Sequence, residues 1–259
     1  MSAQLKSHTI DQTLILTLCD LENRNALSPS IYIAGLEALN AADSNTDISS
    51  IIITGEGDHF CAGGNLKRLQ ANRELPKEHQ AQSIDGLHSW MEAIRSFPKP
   101  VIAAVEGAAA GAGFSLCLMC DFIVASNESV FATSYSNIGL SPDGGVSWHL
   151  SRLVPRQLAM RWLLTGERIK SLELARLGLI YEITNPGQAF ESALALSKQL
   201  NTRAKNSTAS IKELINAAST QDLISHMQQE RDHFVNNLHH ENAGIGILAF
   251  LNKEQPKYK

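Results

Sequence analysis

Short apolar runs, separated by polar or glycine-containing stretches, recur through the first two thirds of the chain. Each run is four to six residues long, which is typical of buried strands rather than of helices. The predicted strands cover residues 13–18, 51–54, 101–105, 122–125 and 130–133. The segments between them are long enough for turns and helices, so the pattern predicts an α/β core built from repeated strand, turn and helix units.

Apolar residues at helical spacing fill the segments between these strands. Ser28 and Pro29 predict a helix start, with Ser28 as the N-cap and Pro29 at the first helical position. This helix is expected to continue to Ala42. The other helices predicted in this part of the chain cover residues 66–72, 83–96 and 114–120.

The pattern changes at Gln188, beyond which no strand is predicted. Helical periodicity continues through residues 189–200, 211–217, 223–238 and 246–251. No low-complexity linker separates the two parts of the chain. The sequence therefore predicts an α/β core over residues 1–187 and a helical C-terminal subdomain over residues 188–259.

Composition and charge narrow the classes of function. The 259 residues are 44% hydrophobic and 19% charged, which is enough for a sizeable core. The net charge is −4 and no dense Lys/Arg run occurs, so no nucleic-acid partner is predicted. Residues 101–125 are the one stretch that resembles a membrane span, but they contain Glu106 and Asp121. A strand, a glycine turn and a buried helix are predicted there, and no membrane association.

The cysteines and the N-terminus bear on metal binding and location. Cys117 and Cys120 have C-x-x-C spacing but lack a second pair, so no metal site is predicted. The N-terminus is polar and shows no export signal. Free thiols are typical of a reducing compartment, so a cytoplasmic location is expected.

Two glycine-rich turns each follow a buried strand and precede a helix. The first covers residues 59–65, with Gly63 and Gly64 consecutive, and the second covers residues 106–113. Small residues let a ligand approach the backbone, and N–H groups at a helix start have no intrahelical partner. Either turn alone is equally typical of an ordinary connection. Together they predict two N–H donors that could be directed at one carbonyl oxygen, as the enolate of an acyl thioester requires.

Six motifs accompany these turns: Asn25-Ala26-Leu27, Phe60-Cys61-Ala62-Gly63-Gly64, PVIAAVEG at 100–107, Cys120-Asp121, IGLSPDGG at 138–145 and ARLGL at 175–179. In order and spacing they resemble the crotonase (enoyl-CoA hydratase/isomerase) superfamily over nearly the whole chain. The resemblance implies an α/β fold, a crotonase-like spiral of strand-strand-helix units. It also implies a helical C-terminal region that mediates trimerisation.

The resemblance also implies the substrate and its contacts. The oxyanion donors would be the backbone N–H groups of Gly64 and Ala112. The substrate would be an acyl-CoA thioester, with no cofactor beyond the coenzyme A that it carries, and the chain would form trimers or hexamers. Coenzyme A is expected along Arg24, Asn25, Ala26, Leu27, Ala62, Gly63, Asn65 and Leu66, with Phe250 and Lys253 supplied by a neighbouring subunit.

The acid–base residues depart from the hydratase pattern. Hydratases of this superfamily use two glutamates to position and activate water, but Ser115 and Tyr135 occupy those positions here. Both are expected to line the acyl pocket. Asp143 matches the catalytic aspartate of dienoyl-CoA isomerases and of ring-epoxide isomerases, and the nucleophilic aspartate of aromatic acyl-CoA dehalogenases. One carboxylate suffices to move a proton between two carbons.

Three functions remain open from the residues. The favoured one is an enoyl-CoA double-bond isomerase with Asp143 as the base. The second is a hydratase or hydrolase acting on an acyl-CoA, including a ring-derived one. The sequence segments around residues 64–66, 83–85 and 143–145 resemble those of the phenylacetate-type isomerase and alternative oxepin-CoA hydrolase branch. The third is a protein that binds coenzyme A esters without catalysis.

Other polar residues near these motifs are interpreted as structural. Glu106 is expected to make a structural hydrogen bond, and Asp121 is expected to serve a turn or a cap. His59 and His88 could reach the pocket, but a solvent-exposed position is favoured for both. Cys61 has no basic neighbour in the sequence, so packing is expected rather than nucleophilic chemistry.

Overall fold

The structure is a computed structural model that describes residues 3–258; residues 1, 2 and 259, at the ends of the two predicted units, lie outside the described residues. The strands are β1 (Gln4–Ile10), β2 (Thr13–Cys19), β3 (Ser50–Gly55), β4 (Val101–Val105), β5 (Ala108–Ala110), β6 (Phe122–Ser126), β7 (Val130–Ala132), β8 (Arg168–Lys170) and β9 (Glu182–Thr184). The helices are α1 (Pro29–Ser44), α2 (Leu66–Asn72), α3 (Lys77–Ser96), α4 (Ala112–Met119), α5 (Val146–Leu153), α6 (Arg156–Thr165), α7 (Ser171–Arg176), α8 (Ala189–Leu200), α9 (Lys205–Ala218), α10 (Leu223–Leu238) and α11 (Glu241–Asn252). Across residues 3–258, no helix combines the length and the apolar character needed to cross a membrane.

Six strands form the main sheet, in the order β1-β2-β3-β4-β6-β9. β1 pairs antiparallel with β2, and every later pair is parallel. Its inner strands are buried on both faces. In β3, Ile51 and Ile53 pack into the main core, while Ile52 packs on the opposite face with Ile102 and Val124. Parallel strands covered on both sides carry continuous apolar runs, and this is the pattern by which the sequence predicts them.

β5, β7 and β8 form a second, smaller sheet. The chain passes from β4 in the main sheet to β5 in the smaller one, and again from β6 to β7, with a helix after each pair. Isolated bridges between Leu27 and Gly64 and between Cys61 and Ala109 extend the smaller layer. This alternation confirms the predicted spiral of strand-strand-helix units. Its consequence is that successive turns lie beside one another.

α8 covers the second face of the main sheet. Ala189, Ala193 and Leu196 pack against isoleucines of β2, β3 and β4. Glu106 Oε1 accepts a hydrogen bond from the Ala189 N–H (3.0 Å), which satisfies one of the donors that a helix start leaves unpaired. α8, the first helix of the predicted C-terminal subdomain, therefore packs on the main sheet of the core. The domain boundary at residue 187 stays a prediction.

The last three helices form the helical C-terminal region that the sequence predicts. α9 is tied to the core by Lys212, whose Nζ donates to Asp121 Oδ2 (2.7 Å). The same carboxylate oxygen accepts from the Val101 N–H at the start of β4 (2.8 Å). α10 and α11 expose many large apolar side chains: Leu223, Ile224, Met227, Phe234, Val235, Leu238, Ile247, Leu248, Phe250 and Leu251. Apolar surface of this extent is typical of protein interfaces.

Several elements differ from the prediction. β1 is missing from it because only Leu5 and Ile10 of that strand are even partly buried, so no apolar run marks it. α3 begins at Lys77 rather than at residue 83, because its first turns are polar and exposed. α5, α6 and α7 are not predicted either. α1 begins at Pro29 with Ser28 as its N-cap, as predicted, but the Ser28 side chain makes no capping hydrogen bond. Its Oγ lies 2.8 Å from Ser30 Oγ instead.

Candidate active site

The two glycine-rich turns lie side by side as neighbouring stretches of backbone. The Cys61 N–H donates to the Ala108 carbonyl (3.0 Å), and the Ala110 N–H donates to the Cys61 carbonyl (2.9 Å). Part of the second turn is thus the strand β5, where the sequence predicts an unpaired turn. β5 continues this ladder to β7, so the smaller sheet holds both turns in one register.

Gly63 and Gly113 are positions where the two turns leave no room for a side chain. Gly63 has φ +86°, and a Cβ there would lie 2.5 Å from the Ala110 carbonyl oxygen and 3.1 Å from the Ala112 nitrogen. A Cβ on Gly113 would overlap the carbonyl oxygen of Cys61. The backbones of the turns are therefore in direct contact. This contact places the residue after Gly63 beside the start of α4.

The N–H groups of Gly64 and Ala112 are available to a ligand. α4 begins at Ala112, and its first hydrogen bond runs from the Phe114 N–H to the Gly111 carbonyl (3.0 Å). The Ala112 N–H precedes that bond, where helical N–H groups have no intrahelical acceptor. In the part of the chain that the structure describes, neither Gly64 nor Ala112 N–H is bonded to a backbone carbonyl. Two such donors can stabilise one oxyanion.

Asp143 lies in a network of side chains from three elements. The Tyr135 hydroxyl donates to Asp143 Oδ1 (2.7 Å), and the Ser115 hydroxyl donates to the Asp143 carbonyl (3.0 Å). The next residue, Gly144, donates its N–H to His88 Nε2 (3.3 Å). The carboxylate is therefore held on one oxygen, and its loop is anchored at both the carbonyl and the following N–H.

Burial sets the protonation of this network. It raises the pKa of the Asp143 carboxyl, although the hydrogen bond from Tyr135 and the nearby His88 act in the opposite direction. Burial also raises the pKa of Tyr135 above its ordinary value, and the charge of Asp143 adds to this. Tyr135 therefore stays protonated as a donor while Asp143 becomes a stronger base than a solvated aspartate.

The side-chain network adjoins the two turns. Ser115 belongs to the first turn of α4, the helix that begins at Ala112. A Cβ on Gly111 would lie 3.8 Å from Tyr135 Cζ, so the tyrosine ring faces the second glycine turn. A Cβ on Gly144 would lie 2.8 Å from Ser115 Cβ, so the Asp143 loop also packs on α4. The predicted residues Gly64, Ala112, Ser115, Tyr135 and Asp143 thus come together in one region.

The predicted coenzyme A segments adjoin the first turn through backbone bonds. The Ala62 N–H donates to the Arg24 carbonyl (2.9 Å), and the Leu27 N–H donates to the Gly63 carbonyl (2.7 Å). The Arg24 side chain is exposed, whereas Ala26 and Leu27 are buried. Any contact of Ala26 and Leu27 with coenzyme A therefore involves their backbone atoms.

The remaining predicted contacts lie at two helix ends. Asn65 is the N-cap of α2, where its Oδ1 accepts from the Arg68 N–H (3.0 Å), so its side chain already has a structural partner. Leu66, at the first position of α2, is 60% exposed. Phe250 and Lys253 are exposed at the end of α11, Phe250 to 84%. Their contribution to a neighbouring subunit's site stays a prediction.

His88 and Met91 on α3 belong to the site. For His88 this is the alternative that the sequence leaves open beside the favoured solvent-exposed position, and the structure shows both exposure and contact. His88 is exposed, yet its Nε2 accepts the Gly144 N–H, and Met91 Cε would lie 3.2 Å from a Cβ on Gly144. The available signal was helical spacing, since His88 follows the buried Leu87 and precedes Met91 by three positions. That spacing places His88 at the border of the buried face.

Tyr32 and Arg68 also lie near the site and have no signal in the sequence. Burial raises the pKa of Tyr32, a hydrogen bond with Arg68 and the charge of that guanidinium lower it, and the charge of Asp143 raises it further. Tyr32 therefore lies within electrostatic reach of both Arg68 and the candidate base. Both residues come from helices, α1 and α2, whose relative placement depends on tertiary packing.

The residues interpreted as structural make structural contacts. Glu106 bonds the start of α8 and Asp121 bonds Lys212, as described above. His59 differs from its interpretation, because its Nδ1 accepts the Ala108 N–H (3.3 Å) and so supports the second turn. Cys61 is fully buried, and burial raises the pKa of its thiol to about 12, which disfavours the thiolate needed for nucleophilic attack. Among residues 3–258, no group of three or more His, Cys, Asp or Glu side chains is placed to hold a metal ion.

Comparison with known proteins agrees with this geometry. The sequence model of the family described as enoyl-CoA hydratase/isomerase matches residues 10–259. The chain is 30% identical over 255 residues to 1,2-epoxyphenylacetyl-CoA isomerase of Escherichia coli (strain K12), covering 97% of each protein. It is 31% identical over 248 residues to 2,3-dehydroadipyl-CoA hydratase of the same organism, covering 96% of this chain and 95% of the relative.

A solved structure extends the comparison to the fold. The crystal structure of an enoyl-CoA hydratase from Polaromonas sp. JS666 is similar to this chain with a TM-score of 0.98 and 60% sequence identity, covering 99% of this chain and 100% of the other. The match extends through the helical C-terminal region. With the family match over nearly all of its length, the chain belongs to the enoyl-CoA hydratase/isomerase family of acyl-CoA enzymes, the crotonase superfamily.

Proposed function

We propose that this enzyme is an enoyl-CoA double-bond isomerase in which Asp143 moves a proton between two carbons of the acyl chain. The observation that carries the proposal is the Asp143 carboxylate, which is held by Tyr135 beside the turns of Gly64 and Ala112. Water addition in this family uses two carboxylates, but Ser115 and Tyr135 occupy those positions here and carry hydroxyl groups instead. Burial makes the one carboxylate a stronger base, as a proton shuttle requires.

The reaction starts with the thioester oxygen accepting hydrogen bonds from the N–H groups of Gly64 and Ala112. The Asp143 carboxylate removes a proton from C2, and the electron pair of that C–H bond shifts toward the thioester oxygen to form a dienolate. The protonated Asp143 then donates its proton to C4. The electrons of the C3–C4 double bond of the 3-enoyl substrate form this new C4–H bond, and the C1–C2 electrons of the dienolate form the C2–C3 double bond. The thioester carbonyl re-forms and the carboxylate is restored. No oxygen atom enters the product.

Tyr135 orients the base in this scheme. Its hydroxyl holds Oδ1, so we assign the proton transfer to Oδ2. Because burial keeps Tyr135 protonated, it serves as a hydrogen-bond donor throughout the cycle. The Ser115 hydroxyl holds the loop at the Asp143 carbonyl, which keeps the carboxylate at a constant distance from the turns.

The same proposal includes the coenzyme A contacts and the assembly. Coenzyme A lies along Arg24 and Leu66, the exposed side chains at the first turn, and no cofactor besides it is needed. The exposed apolar side chains of α10 and α11 support a trimer, or a hexamer of two trimers, in which Phe250 and Lys253 reach a neighbouring site. Light scattering should give the mass of three or six chains, and a monomer would contradict this part.

A hydratase or hydrolase is the second candidate. The observation that favours it is the 60% identity to a protein described as an enoyl-CoA hydratase. Asp143 would then have to activate the water and also return the proton, because the neighbouring Ser115 and Tyr135 carry no carboxylate. The two candidates differ in whether an oxygen atom from solvent enters the product.

The deciding experiment uses mass spectrometry of products formed in ¹⁸O-labelled water. The substrates are 2-enoyl, 3-enoyl, dienoyl and ring-derived acyl-CoA thioesters. We expect a shifted double bond in a product of unchanged mass. Incorporation of ¹⁸O would favour the second candidate, and tight binding without turnover of any substrate would indicate a coenzyme A ester-binding protein.

The matching variant is Asp143→Asn. Loss of the base should reduce kcat by about 10²–10⁴-fold, the usual contribution of general acid–base catalysis, while the Kd of the thioester changes little. Asp85→Asn, at an exposed position of α3, is the control and should keep full activity. Unchanged turnover in Asp143→Asn would exclude Asp143 as the base.

A further inference from the structure

Arg68 on α2 has a buried cationic group without a complete set of partners. Its Nε and Nη1 are shielded from solvent, and neither has a hydrogen-bond acceptor among residues 3–258. A guanidinium stays protonated at every physiological pH. Burying a charge without acceptors is costly, so such a group requires an explanation, and a bound ligand is one that the position of Arg68 beside the candidate site allows.

The charge of Arg68 is also unbalanced. Within the described residues, the ion pairs of the chain involve other cations, and none includes Arg68. Its backbone N–H is used by the Asn65 cap, which fixes the start of α2 but leaves the guanidinium unsatisfied. The missing partner is therefore an anion or a strong acceptor that comes from outside the chain.

The position of Arg68 relates it to the acyl side of the site. Its guanidinium lies close to the hydroxyl of Tyr32. Tyr32 packs on α3, with its Cδ2 3.6 Å from a Cβ placed on Gly86 and its ring centroid 6.3 Å from that of Trp90. His88, on the same helix, contacts the residue after Asp143. Tyr32 and the Asp143 loop therefore contact alternating positions on the same turns of α3, and Arg68 adjoins Tyr32.

The electrostatic contacts also connect Arg68 to the base through Tyr32. The charge of Asp143 reaches Tyr32, and so does that of Arg68. Arg68 is not among the groups that shift the pKa of Asp143. No hydrogen bond or ion pair joins Arg68 to Asp143 among the described residues, so an acyl group with its reacting carbons at Asp143 would meet the guanidinium elsewhere along its length.

We propose that Arg68 binds a carboxylate at the far end of the acyl group, so that the preferred substrates are coenzyme A thioesters of dicarboxylic acids. This inference rests on the proposed function in that it requires an acyl-CoA with its reacting carbons at Asp143. A carboxylate supplies the acceptor and the negative charge that Arg68 lacks, and guanidinium–carboxylate hydrogen bonds are among the stronger ones.

Binding of unreactive thioesters tests this without depending on the reaction. The probes are a saturated six-carbon dicarboxylic acyl-CoA and hexanoyl-CoA, which differ in a terminal carboxylate against a terminal methyl group. The full-length protein should bind the dicarboxylic thioester at least about tenfold more tightly by calorimetry, as expected for one hydrogen bond to a charged group. Equal affinities would overturn the proposal.

Variants separate the acyl group from coenzyme A as the partner of Arg68. Arg68→Met should weaken binding of the dicarboxylic thioester by about 10- to 100-fold and leave hexanoyl-CoA unaffected. Arg73→Met, at the exposed end of α2, is the matched control and should change neither. An equal loss for both thioesters would place Arg68 on a coenzyme A phosphate and contradict the proposal.

The melting temperature of the free protein provides a second measurement. Because Arg68→Met removes a buried charge without acceptors, its melting temperature should equal or exceed that of the unmodified protein. A large decrease would show that Arg68 has a structural partner and would overturn the proposal. Failure of the double-bond shift, with the binding preference intact, would instead overturn only the proposed isomerase.

Discussion

The two halves of the candidate site are built from different kinds of atoms. The oxyanion half consists of backbone N–H groups, those of Gly64 and Ala112, on turns held together by sheet hydrogen bonds. The acid–base half consists of the side chains of Ser115, Tyr135 and Asp143, each from a different element. The first half depends on the path of the chain, and the second on the identity of three side chains.

This difference separates what the fold determines from what it leaves open. An N–H group remains after most substitutions, so the oxyanion half persists as long as the turns pack together. The acid–base half changes its chemistry when one side chain is exchanged. The fold thus defines the ability to stabilise a thioester enolate, while Ser115, Tyr135 and Asp143 decide what becomes of the enolate.

The oxyanion half should be disrupted most strongly by a methyl group between the two turns. In Gly113→Ala the new Cβ would overlap the Cys61 carbonyl, so the turns must separate. We expect kcat/KM to fall by about 10²–10³-fold, the usual effect of losing one oxyanion donor. Thermal unfolding should show a loss of about 1–3 kcal/mol in stability, as for other overpacked sites.

A helical glycine without neighbours is the matched control. Gly244 in α11 has open space around its Cβ position, so Gly244→Ala should keep its activity and gain up to about 1 kcal/mol from higher helix propensity. If Gly113→Ala also retained full activity, the close backbone contact would not be needed to form the oxyanion half. The proposed difference between a backbone half and a side-chain half of the site would then be wrong.

Tyr135→Phe tests the acid–base half with a smaller expected effect. The hydroxyl lowers the pKa of Asp143 against the effect of burial, so its removal should raise that pKa further. The carboxylate form is the active base, and activity is lost as the pH falls through this pKa. The acid limb of the pH–kcat profile should therefore move to higher pH, by about one unit for a loss of roughly 1.4 kcal/mol.

The turnover at neutral pH should decrease by about tenfold or less, since the base itself remains. Tyr181→Phe is the control, because that ring is exposed and packs on Phe122 without contact to the network. An acid limb that stays in place after Tyr135→Phe would show that the hydrogen bond does not tune Asp143. A shift of the acid limb to lower pH would contradict the proposal that the Tyr135 hydroxyl lowers the pKa of Asp143.

The strands that could be predicted from the sequence are those buried on both faces of the main sheet. β2, β3, β4 and β6 carry continuous apolar runs because other layers cover both of their faces. β1 lies at the edge of the main sheet and is largely exposed, so its residues show no run and no alternation. β1 is held by backbone pairing to its neighbour β2, and a hydrophobicity pattern does not detect such pairing.

The same reasoning applies to the site. Glycine turns indicate a backbone function from the local sequence, and the family resemblance assigns the donors to Gly64 and Ala112. Tyr32, Arg68 and His88 lie on three different helices, and their proximity to Asp143 arises from how α1, α2 and α3 pack. No spacing within one helix encodes that packing. The contact of His59 with the Ala108 N–H was equally hidden, because it joins residues about fifty positions apart.

Ser115→Ala should have the smallest effect of the three site variants and sharpens the comparison within the acid–base half. The Ser115 hydroxyl bonds the carbonyl of Asp143 rather than its carboxylate, and it is not among the groups that shift the pKa of Asp143. Loss of one hydrogen bond of about 1 kcal/mol should lower kcat by roughly fivefold while the acid limb of the pH profile stays in place. Ser147→Ala, at an exposed position of α5, is the control and should behave as the unmodified enzyme. A shift of the acid limb as large as that of Tyr135→Phe would show that Ser115 tunes the base directly, and that positioning and tuning are not divided between the two hydroxyls.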